Sequence, residues 1–330
     1  MIEVIYLVSL LKAEYKRLFK NALFYCSFPV TFVLLIIFVY LSFGYTLDVL
    51  VRSPDMYWSV DYYFLGDAVL PIAFAAVFIP VFIGREFSDK TINNKIICGA
   101  KRSHIYIAEY IVCTTAMVIY QLFVDISMLI LCKIILSRQN HSIFDTPKAE
   151  MFLQKFGFLA IIFVSCALFV LVCMCVGSRI KSIIAIILAV FLLNSISSTV
   201  SMNVLSDGEK TAIQEEVYPW MQEDYGRGTV DNAEPEFKTF EEAQKETFKN
   251  SLEVCLRTEA ARGQSLKGIK KIVFLYFDDS LPMCQLMNAS DWTFAAKASP
   301  RVPLYVLYNI LNSAFLLALG IIIFERKELN

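Results

Sequence analysis

The chain has 330 residues, 57% of them hydrophobic and 18% charged, against roughly 45 to 50% and 25% in soluble domains, and its mean hydropathy is +0.57. A wholly soluble protein is excluded by those values. Lys and Arg number 30 against 31 Asp and Glu, so no global basic field marks nucleic acid as a partner. The near balance hides a segregation, because residues 203–300 hold 17 acidic and 11 basic side chains and leave 14 and 19 to the rest. Of nine cysteines, Cys26, Cys113, Cys132, Cys166, Cys173 and Cys175 lie in apolar runs, where a thiol packs as a small hydrophobe. With His104 and His141 the only histidines, no zinc-type cluster of ligands forms at short spacing, and no metal site is expected.

In chain order, Ile2 to Lys20 mixes Ile5, Leu7, Val8, Leu11 and Leu18 with Lys12, Glu14, Lys16 and Arg17, the pattern of a helix lying at a membrane interface. Residues 1–21 are therefore read as a cytoplasmic interfacial helix. Six apolar runs follow, each near the 20 or so residues that cross about 30 Å of hydrocarbon: Ala22–Tyr45, Tyr62–Ile83, Ile105–Leu136, Phe156–Gly177, Ile183–Met202 and Val302–Phe324. The first is too long, and lacks the small-residue cleavage pattern, for a signal peptide. The third exceeds a bilayer and should tilt or project.

Orientation follows the short basic segments, which resist translocation. Lys12, Lys16, Arg17 and Lys20 precede the first run, Arg85, Lys90, Lys95, Lys101 and Arg102 follow the second, Arg179 and Lys181 follow the fourth, and Arg326 and Lys327 end the sixth. Both termini are thus expected in the cytoplasm. Residues 22–202 carry spans one to five with a cytoplasmic loop at 84–104, residues 203–301 form an extracellular insertion, and residues 302–330 are the sixth span with a short tail. The expected fold class is an all-α polytopic membrane protein with six transmembrane helices.

Within the second connection, Gly84-Arg-Glu-Phe-Ser-Asp-Lys-Thr91 approaches the phosphate-binding pattern G-x-x-x-x-G-K-T, but Asp89 replaces the last glycine and a membrane helix, not a strand, precedes it. Nucleotide binding by this chain is not expected. The longer run from Ile83 to Glu109 instead resembles the signature that follows the second span in ABC-transporter permeases of the type-two exporter class. Glu86, Phe87, Thr91, Ile92, Lys95, Gly99, Lys101 and Arg102 fall where that signature has them, while Lys90 stands at a position usually held by glycine. The resemblance implies a coupling helix that docks on a separate ABC ATPase subunit, a second permease copy or paralogue as partner, and a bacterial plasma membrane as location. It also implies that ATP and Mg²⁺ belong to the ATPase partner and that this chain binds no cofactor and catalyses no reaction itself. A purely structural role for Glu86, a helix-end carboxylate paired with Arg85 or Lys90, is the alternative at that residue.

Charges inside hydrocarbon are costly, by about 2.5 to 3.5 kcal/mol on insertion scales, and Asp67, Asp125 and Lys133 were the main cases. Asn194, Ser195, Ser197, Ser198 and Thr199 cluster near the outer end of the fifth span, and Asn309 and Asn312 share one side of the sixth. Two readings stay open: interhelical hydrogen bonds at about 0.6 kcal/mol each, or a translocation path lined by Asp67, Asp125, Asn194, Asn309 and Asn312.

In the insertion, Thr239 and Glu242 form a capping box, and the spacing of Phe240, Phe248, Leu252, Cys255 and Leu256 predicts a helix over Phe240–Ala261 stopped by Gly263. Ile272–Phe277 reads as a strand or a buried turn of helix, and Gly226–Pro235 as a loop. Cys255 and Cys284 are the insertion's two cysteines, candidates for a disulfide or for two buried thiols. Asn140-His-Ser and Asn288-Ala-Ser match the glycosylation tripeptide.

The function implied is export, driven by ATP hydrolysis in the partner subunit, of an antimicrobial peptide or similar amphipathic compound. The alternative is a membrane sensor or resistance protein that binds an extracellular peptide through residues 203–301. An ion-coupled transporter would show internal repeats and midplane acids, and an intramembrane enzyme would need a nucleophile beside a base. Neither pattern is found in the sequence.

Overall fold

The computed structural model describes residues 2–52, 69–136, 148–217, 240–293 and 297–327. All regular structure among them is helical. The helices are α1 (Ile2–Leu18), α2 (Ala22–Arg52), α3 (Val69–Ser88), α4 (Thr91–Ile97), α5 (Arg102–Leu136), α6 (Lys148–Val176), α7 (Arg179–Val204), α8 (Asp207–Val217), α9 (Phe240–Ala261), α10 (Gly268–Ser280), α11 (Pro282–Thr293) and α12 (Val302–Arg326). Asp67, Asn140, Thr239 and the loop at 226–235 lie outside the described residues.

Five helices, α3, α5, α6, α7 and α12, are each long and apolar enough to cross a membrane. A sixth crossing is reached when Tyr6–Leu18 and Ala22–Phe38 are taken together as a pair bent by 51°. At that bend the chain leaves α1 through Lys20 N–H to Arg17 O (3.2 Å), and the Asn21 side chain caps α2 by accepting from Leu23 N–H at 2.9 Å. Helix α5 has 35 residues, roughly 52 Å at 1.5 Å each, which exceeds the thickness of a bilayer.

The main core joins α1, α2, α3, α5, α6 and α12 through Leu18, Phe24, Phe78, Phe82, Tyr106, Phe169 and Phe324. Helix α6 is the most buried of the five spans, whereas only 17% of the apolar stretch of α7 and of α12 is covered by protein. Those two helices present their remaining surface outward, with Ile184, Ile187, Phe191, Leu307, Leu311 and Phe315 all exposed. One end of the bundle, the near end, gathers α1, α4 and the C-terminus of α12; the described residues between 205 and 301 occupy the far end.

Near-end connections are tight. Gly84 sits where α3 passes the start of α7, and a Cβ there would lie 2.8 Å from Arg179 Cα and 2.9 Å from its nitrogen. The Gly84–Ser88 stretch is the last turn of a helix rather than a phosphate loop. Arg102, opening α5, donates to the carbonyls of Phe324, Glu325 and Lys327 at the end of α12. Lys327 in turn donates to Met174 O at 2.8 Å and lies 4.7 Å from the Phe87 ring centroid.

Far from that end, α9 spans Phe240–Ala261, the residues predicted from the spacing of its apolar side chains, and the left-handed Gly263 (φ 67°) ends it. Ile272–Phe277, read as strand or helix, lies within α10. Helix α10 then runs parallel to the first half of α12. Tyr276 packs edge-on against Tyr308 at 5.4 Å and Asn312 donates to Ser280 O at 3.3 Å, so both contacts keep one offset along the two helices. After the turn at Leu281, α11 returns in the opposite sense, with Asn309 Nδ2 donating to Gln285 Oε1 at 2.8 Å.

The close passage at Gly84 generates one expectation. Gly84→Ala forces α3 away from the backbone of Arg179 and costs about 1 to 3 kcal/mol, the usual penalty of overpacking. Thermal unfolding of the purified protein in detergent checks it, as a lowered midpoint.

Candidate functional site

Helix α4 is a seven-residue helix between α3 and α5, and the Ile92 side chain pins it to the main core. Its N-cap, Lys90, has φ 53°, a left-handed conformation that favours glycine. Lysine here therefore occupies a backbone geometry that glycine would relieve. A lysine there bears roughly 1 to 2 kcal/mol of strain.

Beside α4 lies a buried ionic cluster assembled from four helices. Glu14 and Arg17 come from α1, Glu86 from α3, Lys95 from α4 and Glu109 from α5. The three carboxylates are 2%, 2% and 0% exposed. Arg17 donates to both oxygens of Glu109 (3.1 and 3.0 Å), lies 3.0 Å from Glu14 and contacts Glu86. Lys95 contacts Glu14 and Glu86 and lies 3.4 Å from Glu109. The Arg17 guanidinium also stacks 3.9 Å from the centroid of Phe82.

Carboxylate oxygens from the three glutamates come within 4.8 Å of one another, a spacing compatible with a bound cation. Arg17 and Lys95 supply that positive charge from within the chain, since both reach all three acids. Two cations still leave one negative charge in excess. Burial first, and then the neighbouring Glu109, push the Glu14 carboxyl above its ordinary value of 4.5, against the opposing pull of Arg17 and Lys95.

Two of the residues singled out in the sequence, Glu86 and Lys95, meet in this cluster. Glu86 does not pair with Arg85 or Lys90; Arg85 turns to Asp89 at 3.3 Å instead, because it lies on the exposed side of α3. Phe87 packs under Lys327, Thr91 opens α4, and Arg102 clamps the end of α12, while Gly99 and Lys101 lie exposed in the turn that follows α4. Glu14, Arg17 and Glu109 complete the cluster and lie outside the set of residues that the resemblance marks. A signal for Glu109 is present in the sequence, as an acid four residues inside the third apolar run.

The proposed path residues do not converge. Asp125 is held by Lys155 at 2.6 Å and by Gln121 at 2.9 Å, so it is a paired charge between α5 and α6. Lys133 is exposed at the end of α5. Asn194 is exposed on α7, where Ser195 and Thr199 bond back to carbonyls of their own helix at 3.0 and 2.9 Å rather than across to another. Asn309 and Asn312 hold the α10–α11 turn. Cys255 and Cys284 are free thiols in separate apolar clusters, Cys255 beside Trp292 and Cys284 beside Val200 and Val204, so the disulfide option is not realised. Asn288, in the second tripeptide, is partly buried and donates to Asp278 at 3.4 Å.

A second ionic group stands at the far end. Arg262 donates to Asp278 (2.8 Å) and Asp279 (2.7 Å), and Arg301 lies 3.3 and 3.1 Å from the same two acids and 2.8 Å from Glu259. It joins α10 to the end of α9 and the start of α12.

No family model, no curated protein and no solved structure matches this chain.

Two expectations follow from the near-end cluster. Lys95→Met leaves three buried carboxylates facing one cation, and breaking a buried pair in this way costs about 3 to 5 kcal/mol. Adding Glu14→Gln to Lys95→Met should restore most of that loss, a coupling read from the double-mutant cycle of thermal midpoints. The pH dependence has a defined sign. With the Glu14 carboxyl raised on folding, its contribution is complete below pH 4.5 and is lost as pH rises through the folded-state value. Glu14→Gln should remove that segment of the stability profile, so the difference between variant and wild type grows in favour of the variant as pH is raised from 4.5 to 8.

Proposed function

We propose that the chain is the membrane-spanning permease subunit of an ATP-driven exporter, with α4 as the element that docks on a separate ATPase subunit. The observation that carries this reading is the two-sided character of α4. Its inner side is fixed by Ile92 and Lys95, while Asn94, Ile97 and Cys98 at its other side are exposed, Ile97 at 81%. An isoleucine so exposed at the tip of a polar connection is an anchor for a partner's apolar pocket. The resemblance of Ile83–Glu109 to the coupling segment of type-two exporter permeases names that partner as an ABC ATPase.

The mechanism follows from the contacts. Closure of two ATPase subunits on ATP pushes α4, and Lys95 transmits the displacement to Glu14 on α1, Glu86 on α3 and Glu109 on α5 together. A rigid push on one short helix thereby reaches three longer ones, the bistable element being the arrangement of the spans. The near end is cytoplasmic in this reading, the lipid bilayer surrounds α7 and α12, a second permease copy or paralogue completes the pathway, and the cargo class is an amphipathic peptide or similar compound.

Affinity purification of the tagged chain from its own membrane in mild detergent should recover a nucleotide-binding subunit with ATP hydrolysis. Ile97→Asp should lower the recovered ATPase at least tenfold while leaving the thermal midpoint unchanged, because the side chain makes no core contact. Recovery of the wild-type chain alone in several detergents would refute the assignment.

A further inference from the structure

We infer that the end of α12 is a second arm of the coupling device, with Lys327 as the positioning residue that passes a displacement of α4 on to α6. This arm rests on the exporter reading and extends it to two spans outside the ionic cluster. Glu14, Arg17, Glu86, Lys95 and Glu109 belong to α1, α3, α4 and α5, and none of the five stands on α6 or α12.

Stiffness around α4 is the first requirement. After it, Cys98 N–H donates to Asn94 O (2.9 Å), Gly99 N–H to Ile96 O (2.9 Å), Ala100 N–H to Lys95 O (3.0 Å) and Ile105 N–H to Lys101 O (3.1 Å). Before it, Asp89 N–H donates to Arg85 O (2.9 Å) and Lys90 N–H to Phe87 O (3.2 Å). A short connection bonded in this way moves as one body. Phe87, at the end of α3, and Arg102, at the start of α5, stand at its two ends.

Both of those residues meet the end of α12. The last carbonyls of a helix have no partner within it, and Arg102 satisfies this end by donating to Phe324 O (3.3 Å), Glu325 O (3.1 Å) and Lys327 O. One turn further along α5, Tyr106 fills the notch left by Gly320, where any side chain would overlap its hydroxyl. Its ring lies 6.4 Å from that of Phe324, centroid to centroid. Two successive turns of α5 therefore hold two successive turns of α12, and the pair slides only by breaking both grips.

Lys327 extends the grip to a third span. Its ammonium donates to Met174 O (2.8 Å), in the last turn of α6, and lies 4.7 Å from the centroid of the Phe87 ring. Gly177, the residue after α6, has φ 68°, and a Cβ there would lie 2.8 Å from the Lys327 nitrogen and 3.3 Å from Phe87. Glycine thus leaves the space in which lysine, ring and carbonyl meet. A hydrogen bond from a charged donor is short and directional, so the end of α6 follows the end of α12 through this contact. Displacement of α4 reaches α12 through Arg102, and α6 through the Lys327 side chain.

The test uses the full chain purified with its ATPase in lipid nanodiscs, free and trapped with ATP and orthovanadate, and reads amide hydrogen exchange by mass spectrometry. In the wild type, trapping should change exchange several-fold in residues 84–101, in the last turn of α12 and in the last turn of α6. Lys327→Met should recover as much ATPase and keep the changes at 84–101 and at α12, while the change at α6 is lost. Lys327→Arg, which still donates to Met174 O, should keep all three. A change at α6 that survives in Lys327→Met would overturn the routing. So would its loss together with the change at α12, which would make the lysine a group that merely holds the fold. A wild-type response confined to 84–101 would overturn the arm without any variant. All of these outcomes are read with an ATPase docked, whereas a wild-type chain that recovers none would refute the exporter reading itself.

Discussion

Charge that is removed from water has to be neutralised at short range, and this molecule places its neutralising partners on different helices. Glu14, Glu86 and Glu109 come from three helices, and Arg17 and Lys95 tie them together with a fourth. At the opposite end Arg262 and Arg301 perform the same task for Asp278 and Asp279. Van der Waals packing orders the apolar length of the bundle, but lipid is as apolar as leucine, and packing alone defines helix register weakly there. Ion pairs with one geometry define it strongly. Each cluster therefore fixes how helices sit at its own end of the bundle.

The extent to which this was legible in the sequence depends on whether the signal was local. Helix positions were, because a run of apolar residues about 20 long has one physical meaning and its ends are marked by Lys and Arg. Helix α9 was equally legible, because apolar residues at spacings near three and four declare a helix wherever they occur. The ionic clusters were not, because Glu14 and Glu109 are ninety-five residues apart and no local rule pairs them. Arg17 was read as a topology signal, which its position permits, yet 75% of its side chain is covered in the fold. Asp125 shows the same limit from the other direction. Its partner Lys155 stands one residue before the fourth apolar run, outside every window in which the acid was weighed.

The asparagines on α12 illustrate a different reason. Asn309 and Asn312 share a side of one helix, and that pattern supports either interhelical bonding or a lined path. What decides between them is the identity of the opposing atoms, Gln285 Oε1 and Ser280 O, contributed by the α10–α11 hairpin, whose packing on α12 no composition reveals. Residues 203–301 are polar on average, and averaging concealed α10, in which the charges collect at the two ends and the apolar residues between them. Ile272–Phe277 was ambiguous for the same reason: six residues are too few to separate a period of 2 from one of 3.6.

The two clusters differ in one property with mechanical consequences. The far-end group sets two arginines against two buried aspartates and a third acid, Glu259, whose side chain is 29% exposed beside Arg301, so that solvent screens its charge. Nothing is gained by opening it, and it fixes the hairpin to α9 and α12. The near-end group has the same formal excess of one negative charge, but its three acids are all buried. Both near-end cations are shared among the same three acids, and Lys95 is the single contribution of α4 to that joint. The screened joint lies at the end that holds the hairpin, and the fully buried one lies under α4, whose outer face is exposed.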